Sequence, residues 1–529
     1  MNSATSAQAR ERSIRPSRTP IVTIGDLVAA VPSLRLVSGD PLTPLGGVTL
    51  DSRGVLPGDL YAALPGSNTH GSRFAGDAIA AGAAAILSDA AEAQSIASTG
   101  APTLVADDPR AALGLIAAVI FGTRENAPDI YAVTGTNGKT TTSYLIKSLL
   151  EGLGHTTGLI SSIEILAGHR PVAAIRTTPE APELHAILAQ MAESDISAAA
   201  IEVTSHALAL HRFSGVSARV SGFTNLSHDH LDLHGTMADY ASTKAQLLSP
   251  SLSQRAVVTI DDEWGLTLAN EAAIPVARLL TRPARPGEHA DYVVSAVHAF
   301  ETGSSFDLTT PSGLVITART RLPSFFNVSN AALAIAMVIE GGATAEAVAA
   351  LLADRPDALS PTVLGRMQLV HTAPQVIVDF AHNPDALHRV LESVVPLGGR
   401  RIVVFGAAGE RDRTKRRVMG EIAARGADIV IVTDDDPHNE DPAAIRAEVM
   451  EGAVAAAGAS TEVYEIAPRA AAIAEAARLC SPDDVVIIAG RGHEQFQSFG
   501  DTQVQIDDGD EFCRAITELR SVAGTPTHT

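Results

Sequence analysis

The chain has 529 residues, 46% hydrophobic and 19% charged, too many for one core and enough for about three soluble domains. Acidic residues outnumber basic ones 60 to 39, for a net charge of −21, and aromatics make up only 4%; both argue against a nucleic-acid binder. Cys480 and Cys513 are the only cysteines, which excludes a disulfide framework or a cysteine metal cluster, and no apolar run is long enough to span a bilayer.

The first 20 residues, "MNSATSAQARERSIRPSRTP", lack the apolar segment of a secretory signal. They are expected to form a disordered tail on a cytoplasmic protein. Residues 21–125 read as short strands and Ala-rich helices, as in "FAGDAIAAGAAAILSD" followed by "APTLVADD". Residues 126–358 carry the strand candidates "DIYAVTG", "AAAIEVTSH" and "ARVSGFTN", and "LLADRPDALSPTVLGR" then reads as a linker. Residues 359–529 alternate strand and helix through "QVIVDFAH", "RIVVFGAAG", "ADIVIVTDD" and "DVVIIAGRG". Such alternation predicts an α/β protein of three domains with parallel sheets covered by helices. Nearly every polar cluster follows an apolar strand candidate, and ligands of open parallel sheets bind outside the carboxyl ends of strands.

The most specific local signal is "YAVTGTNGKTTTSYLIKSLLEGLG", a strand, a glycine turn and an amphipathic helix. Gly135 and Gly138 let the backbone amides of Gly135, Thr136, Asn137, Gly138 and Thr141 approach phosphate oxygens at a helix N-terminus. Lys139 would reach the terminal phosphates and Thr140 would put a hydroxyl on Mg²⁺. Two residues separate the glycines where the usual phosphate loop has four. Glu202, closing the apolar run of "AAAIEVTSH", is the expected magnesium carboxylate. "FTNLSHDHLDLHGTMADYASTKAQLL" gathers His228, Asp229, His230, Asp232 and His234. These suit zinc, a hard-cation site beside a nucleotide, or a solvated loop. Spacing alone makes Lys244 a helix-surface lysine.

Later, "TDDDPHNEDP" sets Asp434, Asp435 and Asp436 at the end of a buried strand. Like charges so close predict either a bound cation or a cap on the following helix, "DPAAIRAEVMEGA".

In order along the chain, "GTNGKTT", "EVTSHAL", "FTNLSHDHLDLHG", "YASTK", "FNVSNAALA", "GRMQ", "DFAHNPDAL", "FGAAGERDRTKR" and "GRGHE" resemble the Mur ligases, ATP-dependent amide-forming enzymes of peptidoglycan precursor synthesis. The likeness spans about residues 45–500. "TLDSRGVLPGDLYAALPGSNTHG" and "GRGHE" are most similar to the members that add the third residue to UDP-MurNAc-L-Ala-D-Glu. The resemblance implies a UDP-binding domain (21–125), a central ATPase (126–358) and a C-terminal Rossmann-like domain (359–529), in a monomer that engages neither nucleic acid nor membrane. It implies an acyl phosphate formed with ATP and displaced by an incoming amine. Carried over by motif, Leu50, Ser52, Ser67, Asn68 and Thr69 would contact the UDP end, and Thr177, Thr178, Thr204 and Arg212 the muramoyl-peptide. Thr140 and Glu202 would hold one Mg²⁺ and His230 a second. Lys244 would carry a CO₂-derived carbamate. Asn327, Asn330, Arg366, Asp379 and His382 would clasp the nucleotide.

Two positions depart from that pattern with little or local effect: Thr204 stands for a frequent serine and Leu210 for a frequent glutamine. A third bears on specificity. Diaminopimelate-adding members carry Asp-Asn-Pro-Arg where this chain has Asp435-Asp436-Pro437-His438. Histidine lacks arginine's permanent charge and bidentate fork, and Asp436 would repel a carboxylated side chain. L-lysine is therefore the expected amino acid, with ornithine next and meso-diaminopimelate the alternative. Arg411 would take its α-carboxylate, Asp435 and Asp436 its far ammonium, and Glu494 and Gly490 its amine end. A folylpolyglutamate synthetase is a rival that residues 45–105 oppose. A nucleotide-switched binding protein would need neither the histidine cluster nor Arg212.

Overall fold

The computed structural model describes residues 2–66, 69–168, 171–172, 176–300, 303–394, 396 and 398–523. Aliphatic and β-branched runs such as Ile429–Val432, buried on both faces, form its parallel strands. Three main sheets result. The first orders its strands Leu34–Ser38, Thr103–Ala106, Ala85–Ser88, Asp59–Ala62 and Gly47–Thr49, all parallel after an antiparallel first pair.

The second sheet has eleven strands. At its heart Asp129–Thr134 lies between Ala198–Glu202 and Val220–Phe223, parallel to both. Thr157–Ile160 flanks the first neighbour; Ala256–Thr259 and Val276–Leu280 extend the other side. The strands Tyr292–Phe300, Gly303–Thr309 and Val315–Thr320 complete that edge as an antiparallel meander. Helices Lys139–Gly152 and Phe325–Glu340 seal one face through Leu145, Leu149, Leu333 and Met337, while Ala181–Glu193 covers the other. The third sheet runs Gln368–Thr372, Gln375–Asp379, Val485–Ala489, Arg401–Phe405, Ile429–Val432 and Glu462–Glu465, parallel except for its first pair.

The N-terminal segment departs from expectation. Instead of a disordered tail, Asn2–Ile14 is a helix. Ile14 is buried with Ile130 and Ala132 of the central domain. Arg15 places its guanidinium 2.5 and 2.8 Å from the Asp59 carboxylate of the first domain and 3.1 Å from Glu11. Glu11 accepts from the Thr49 hydroxyl at 3.0 Å, and Arg10 reaches Glu183 at 3.2 Å. Polar composition hid this because the segment docks through ion pairs to two domains and offers little apolar pattern. Replacing Arg15 with Ala leaves Asp59 buried without its cation, so a loss of about 3 kcal/mol is expected, read as a lower denaturant midpoint.

Candidate active site

Because Asp129–Thr134 sits between its two neighbours, three chemistry-bearing loops leave adjacent strand ends side by side. The middle one is the phosphate loop. Gly135 and Gly138 have φ of 144° and 90°. A β-carbon at Gly138 would lie 2.3 Å from Asn330 Oδ1, so glycine is required there on both counts. Lys139 Nζ folds back to donate to the carbonyls of Gly135 (3.1 Å) and Thr136 (2.8 Å). Burial holds its pKa below the usual lysine range, partly countered by Glu202 and Asp229. Asn330 donates to Asn327 Oδ1 at 3.1 Å, both buried on the helix behind the loop.

Glu202, 1% exposed, accepts from the Ser162 amide at 3.0 Å, and burial raises its pKa against the pull of Lys139. On the other side His230 adopts φ 54° beside buried Asp229. Desolvation pulls its pKa below the usual histidine range against the opposing charge of Asp229. The cluster does not assemble as a zinc site: among the described residues no group of three or more His, Cys, Asp or Glu is placed to hold a metal. His234 bonds the Ser205 hydroxyl at 3.0 Å, and the Asp232 side chain lies outside the described residues.

Lys244 corrects the surface reading that spacing favoured. It is 1% exposed, behind the phosphate loop, donating to Gly135 O at 2.7 Å and lying 4.6 Å from the Tyr240 ring centre. Burial, then the nearby Lys139 charge, lowers its pKa well below the ordinary value.

The C-terminal domain closes over these groups. Arg366 Nη2 lies 3.3 Å from both Thr140 Oγ1 and Ser162 Oγ, with its guanidinium over the Phe380 ring. Asn383 donates to Asp229 at 3.0 Å, Asn137 to Asp385 at 2.9 Å, and His493 meets Ser162 O at 2.9 Å. Asp379 accepts from the Met367 amide at 2.7 Å; burial pushes its pKa up to about 6 despite Arg366.

The acidic run resolves differently from either expectation. Asp434 pairs with Arg446. Buried Arg491 donates to Asp436 at 2.8 Å and lies 3.6 Å from Asp435 and 3.7 Å from Glu494. The following helix is capped by Asp441 instead. The crowding is thus relieved first by the protein's own arginines, and Asp436 is engaged before any ligand arrives. Three carboxylates nonetheless surround one guanidinium, and burial with Asp435 raises Glu494 to about 7. Exposed Arg411 on the same wall has no ion pair among the described residues.

One cleft of about 760 Å³ unites Thr140, His230 and Asp435. Its walls include Thr136–Thr141, Thr177, Thr178, Glu202, Thr204 and Arg212 from the central domain, with Asn327 and Asn330. Arg366, Asp379, His382, Arg411, Asp436, His438, Gly490 and Glu494 face them. Arg212 is held at 2.9 Å by Glu180. The proposed UDP contacts are not in this cleft. Leu50 and Ser52 follow strand Gly47–Thr49, and Thr69 lies in the loop after its parallel neighbour Asp59–Ala62; Ser67 and Asn68 lie outside the described residues. Sequence reasoning missed Asp229 as a hub, Ser162, Asn383 and Arg491. Of these, Asp229, Asn383 and Arg491 stood inside quoted motifs.

A phosphate loop on a parallel sheet, roofed by a Rossmann-like domain and preceded by a third α/β domain, defines an ATP-dependent amide-bond ligase. Family profiles agree: "Mur ligase family, catalytic domain" matches residues 44–120, "Mur ligase middle domain" 133–338 and "Mur ligase, glutamate ligase domain" 365–492. A UDP-N-acetylmuramyl-tripeptide synthetase of Leifsonia xyli is 42% identical over 475 residues, 89% of this chain and 91% of the relative. A UDP-N-acetylmuramoyl-L-alanyl-D-glutamate–2,6-diaminopimelate ligase of Streptomyces coelicolor is 40% identical over 517 residues, 96% and 98% of the two chains. A solved 2,6-diaminopimelate ligase of the same name superposes with a TM-score of 0.64 at 29% identity, over 95% of this chain and 100% of that one. The chain belongs to the Mur ligase family.

Proposed function

We propose that this enzyme uses ATP to add a basic diamino acid, L-lysine foremost, to UDP-MurNAc-L-Ala-D-Glu in peptidoglycan precursor synthesis. The carrying observation is the surplus of carboxylate at one end of the cleft: Asp435, Asp436 and Glu494 around Arg491. That end suits an ammonium, with Arg411 on the same wall for the α-carboxylate. His438 supplies no fixed cation for a second carboxylate. A folylpolyglutamate synthetase is disfavoured by the family match over residues 44–120.

In this reading the loop amides and Lys139 cradle the ATP phosphates, and Arg366, freed from Thr140, pairs with them. Thr177, Thr178, Thr204 and Arg212 orient the substrate so that its carboxylate meets the γ-phosphorus. Positioning and charge neutralisation are what this transfer needs. Thr140 and Glu202 fit one Mg²⁺, and His230 with a carbamate on Lys244 a second, since magnesium takes few protein ligands and fills its shell with phosphate and water. Bound there, magnesium would neutralise phosphate charge. Lys244, whose pKa burial pulls well below the usual lysine range, fits carbamylation, because only the uncharged amine adds CO₂. The enzyme's nucleotide substrates support a cytoplasmic location.

The relatives' names favour a second reading, meso-diaminopimelate as the amino acid. A panel of lysine, ornithine and meso-diaminopimelate, each with ATP and UDP-MurNAc-dipeptide, decides by phosphate release. Lysine is expected to exceed meso-diaminopimelate at least about tenfold in kcat/KM, the worth of one unpaired buried carboxylate. The reverse order would refute the pocket argument.

A further inference from the structure

Of 39 basic residues only four are lysine, at 139, 147, 244 and 415. Lys147 forms an i,i+4 pair with Glu151. The other three converge on the nucleotide cleft: Lys139 and Lys415 line it and Lys244 bonds the loop beneath. A chain that builds almost every cation from arginine keeps the compact ammonium at these places. An ammonium is a point charge with three freely turning donors, whereas arginine presents a fixed planar fork.

Lys415 has no role yet. It is the second residue of helix Thr414–Gly426, 6% exposed, with no hydrogen bond or ion pair among the described residues. Its neighbour Arg416 donates through both terminal nitrogens to Glu440, Glu448 and Ala408 O. The Lys415 ammonium opens onto the cleft with no protein partner among the described residues, and a helix N-terminus is the wrong end for a cation. An anion in the cleft would satisfy the first and offset the second.

We propose that Lys415 is a catalytic cation that contacts the γ-phosphoryl oxygens during their transfer and then holds the acyl phosphate from the C-terminal domain side. This rests on the acyl-phosphate reading above. In the step, the bond from the γ-phosphorus to the β–γ bridging oxygen breaks and its electron pair leaves with ADP. The substrate carboxylate oxygen forms the new bond to phosphorus. Lys415 keeps its protons. Because Lys139 stands on the central domain and Lys415 on the C-terminal one, the transferring group is flanked by positive charge only when the two are docked.

The test traps the acyl phosphate as a hydroxamate, using the full chain with ATP, Mg²⁺, UDP-MurNAc-dipeptide and hydroxylamine but no amino acid. Lys415→Met is expected to slow hydroxamate formation about 100-fold, as for loss of one oxyanion donor, with ATP affinity and melting temperature near the parent's. Lys415→Arg should recover at least about a tenth of the parent rate, because its charge survives; it also serves if the Met variant does not fold. Hydroxamate formation by Lys415→Met within about threefold of the parent overturns the proposal, as does an Arg variant as slow as a folded Met variant. Absence of hydroxamate from the unaltered enzyme overturns the acyl-phosphate reading itself.

Discussion

Lys139→Ala is expected to lower substrate-dependent ATP turnover by at least about 1,000-fold while leaving the fold intact. The magnitude follows from the charge it removes: a cation on the transferring group in a water-poor site is worth that much or more. The preserved fold follows from geometry. Lys139 Nζ bonds only two carbonyls of its own loop, Gly135 and Thr136, at the wall of an open cleft. Without it those carbonyls meet water, a change of about 1 kcal/mol at most. The enzyme carries −21 and its substrates are anions, so distant attraction cannot compensate for a lost local cation. Phosphate release with saturating substrates, alongside a thermal melt, separates the two effects. More than a tenth of normal turnover in a folded variant would contradict the role of the loop.

The three-sheet architecture and the phosphate loop were legible because they rest on local pattern: alternating strand and helix, and glycines that only a positive φ explains. Glu202 was legible for the same reason, a charge closing an apolar strand. What depends on three-dimensional pairing was not. The acid run around Asp435 looked like an unmet charge because Arg491 approaches it from a strand end more than fifty residues later in the chain. The opening helix was misread because its apolar face is nearly confined to Ile14, and its hold comes from Arg10, Glu11 and Arg15 meeting carboxylates and hydroxyls of two domains. Lys244 resembled any helix lysine until the fold placed it under Gly135. Periodicity reports burial of apolar faces and is silent about which buried charge meets which.

Lys244 also permits a test that separates its two conceivable forms. As a cation beneath the loop it would be replaceable by arginine. As the precursor of an anion it would not, since guanidinium does not add CO₂ and stays protonated. Lys244→Arg and Lys244→Ala are therefore both expected to lose at least about 100-fold in turnover. The parent enzyme should lose activity when stripped of CO₂ and regain it on resupply, with a ¹³C-carbamate resonance appearing in parallel from labelled CO₂. The pH dependence has a definite sign and slope. Burial lowers the Lys244 pKa, so the neutral amine dominates where an ordinary lysine would be charged. Carbamate formation from a neutral amine releases one proton; from an ammonium it releases two. At fixed CO₂ pressure and below saturation, occupancy should rise about tenfold per pH unit for the buried amine and about a hundredfold for an ordinary one. It falls as pH drops, steepening once the folded pKa is crossed. A two-proton slope near pH 7 would contradict the lowered pKa; no ¹³C-carbamate resonance from labelled CO₂, or an arginine variant with normal turnover, would remove the carbamate and leave Lys244 as a structural donor to Gly135.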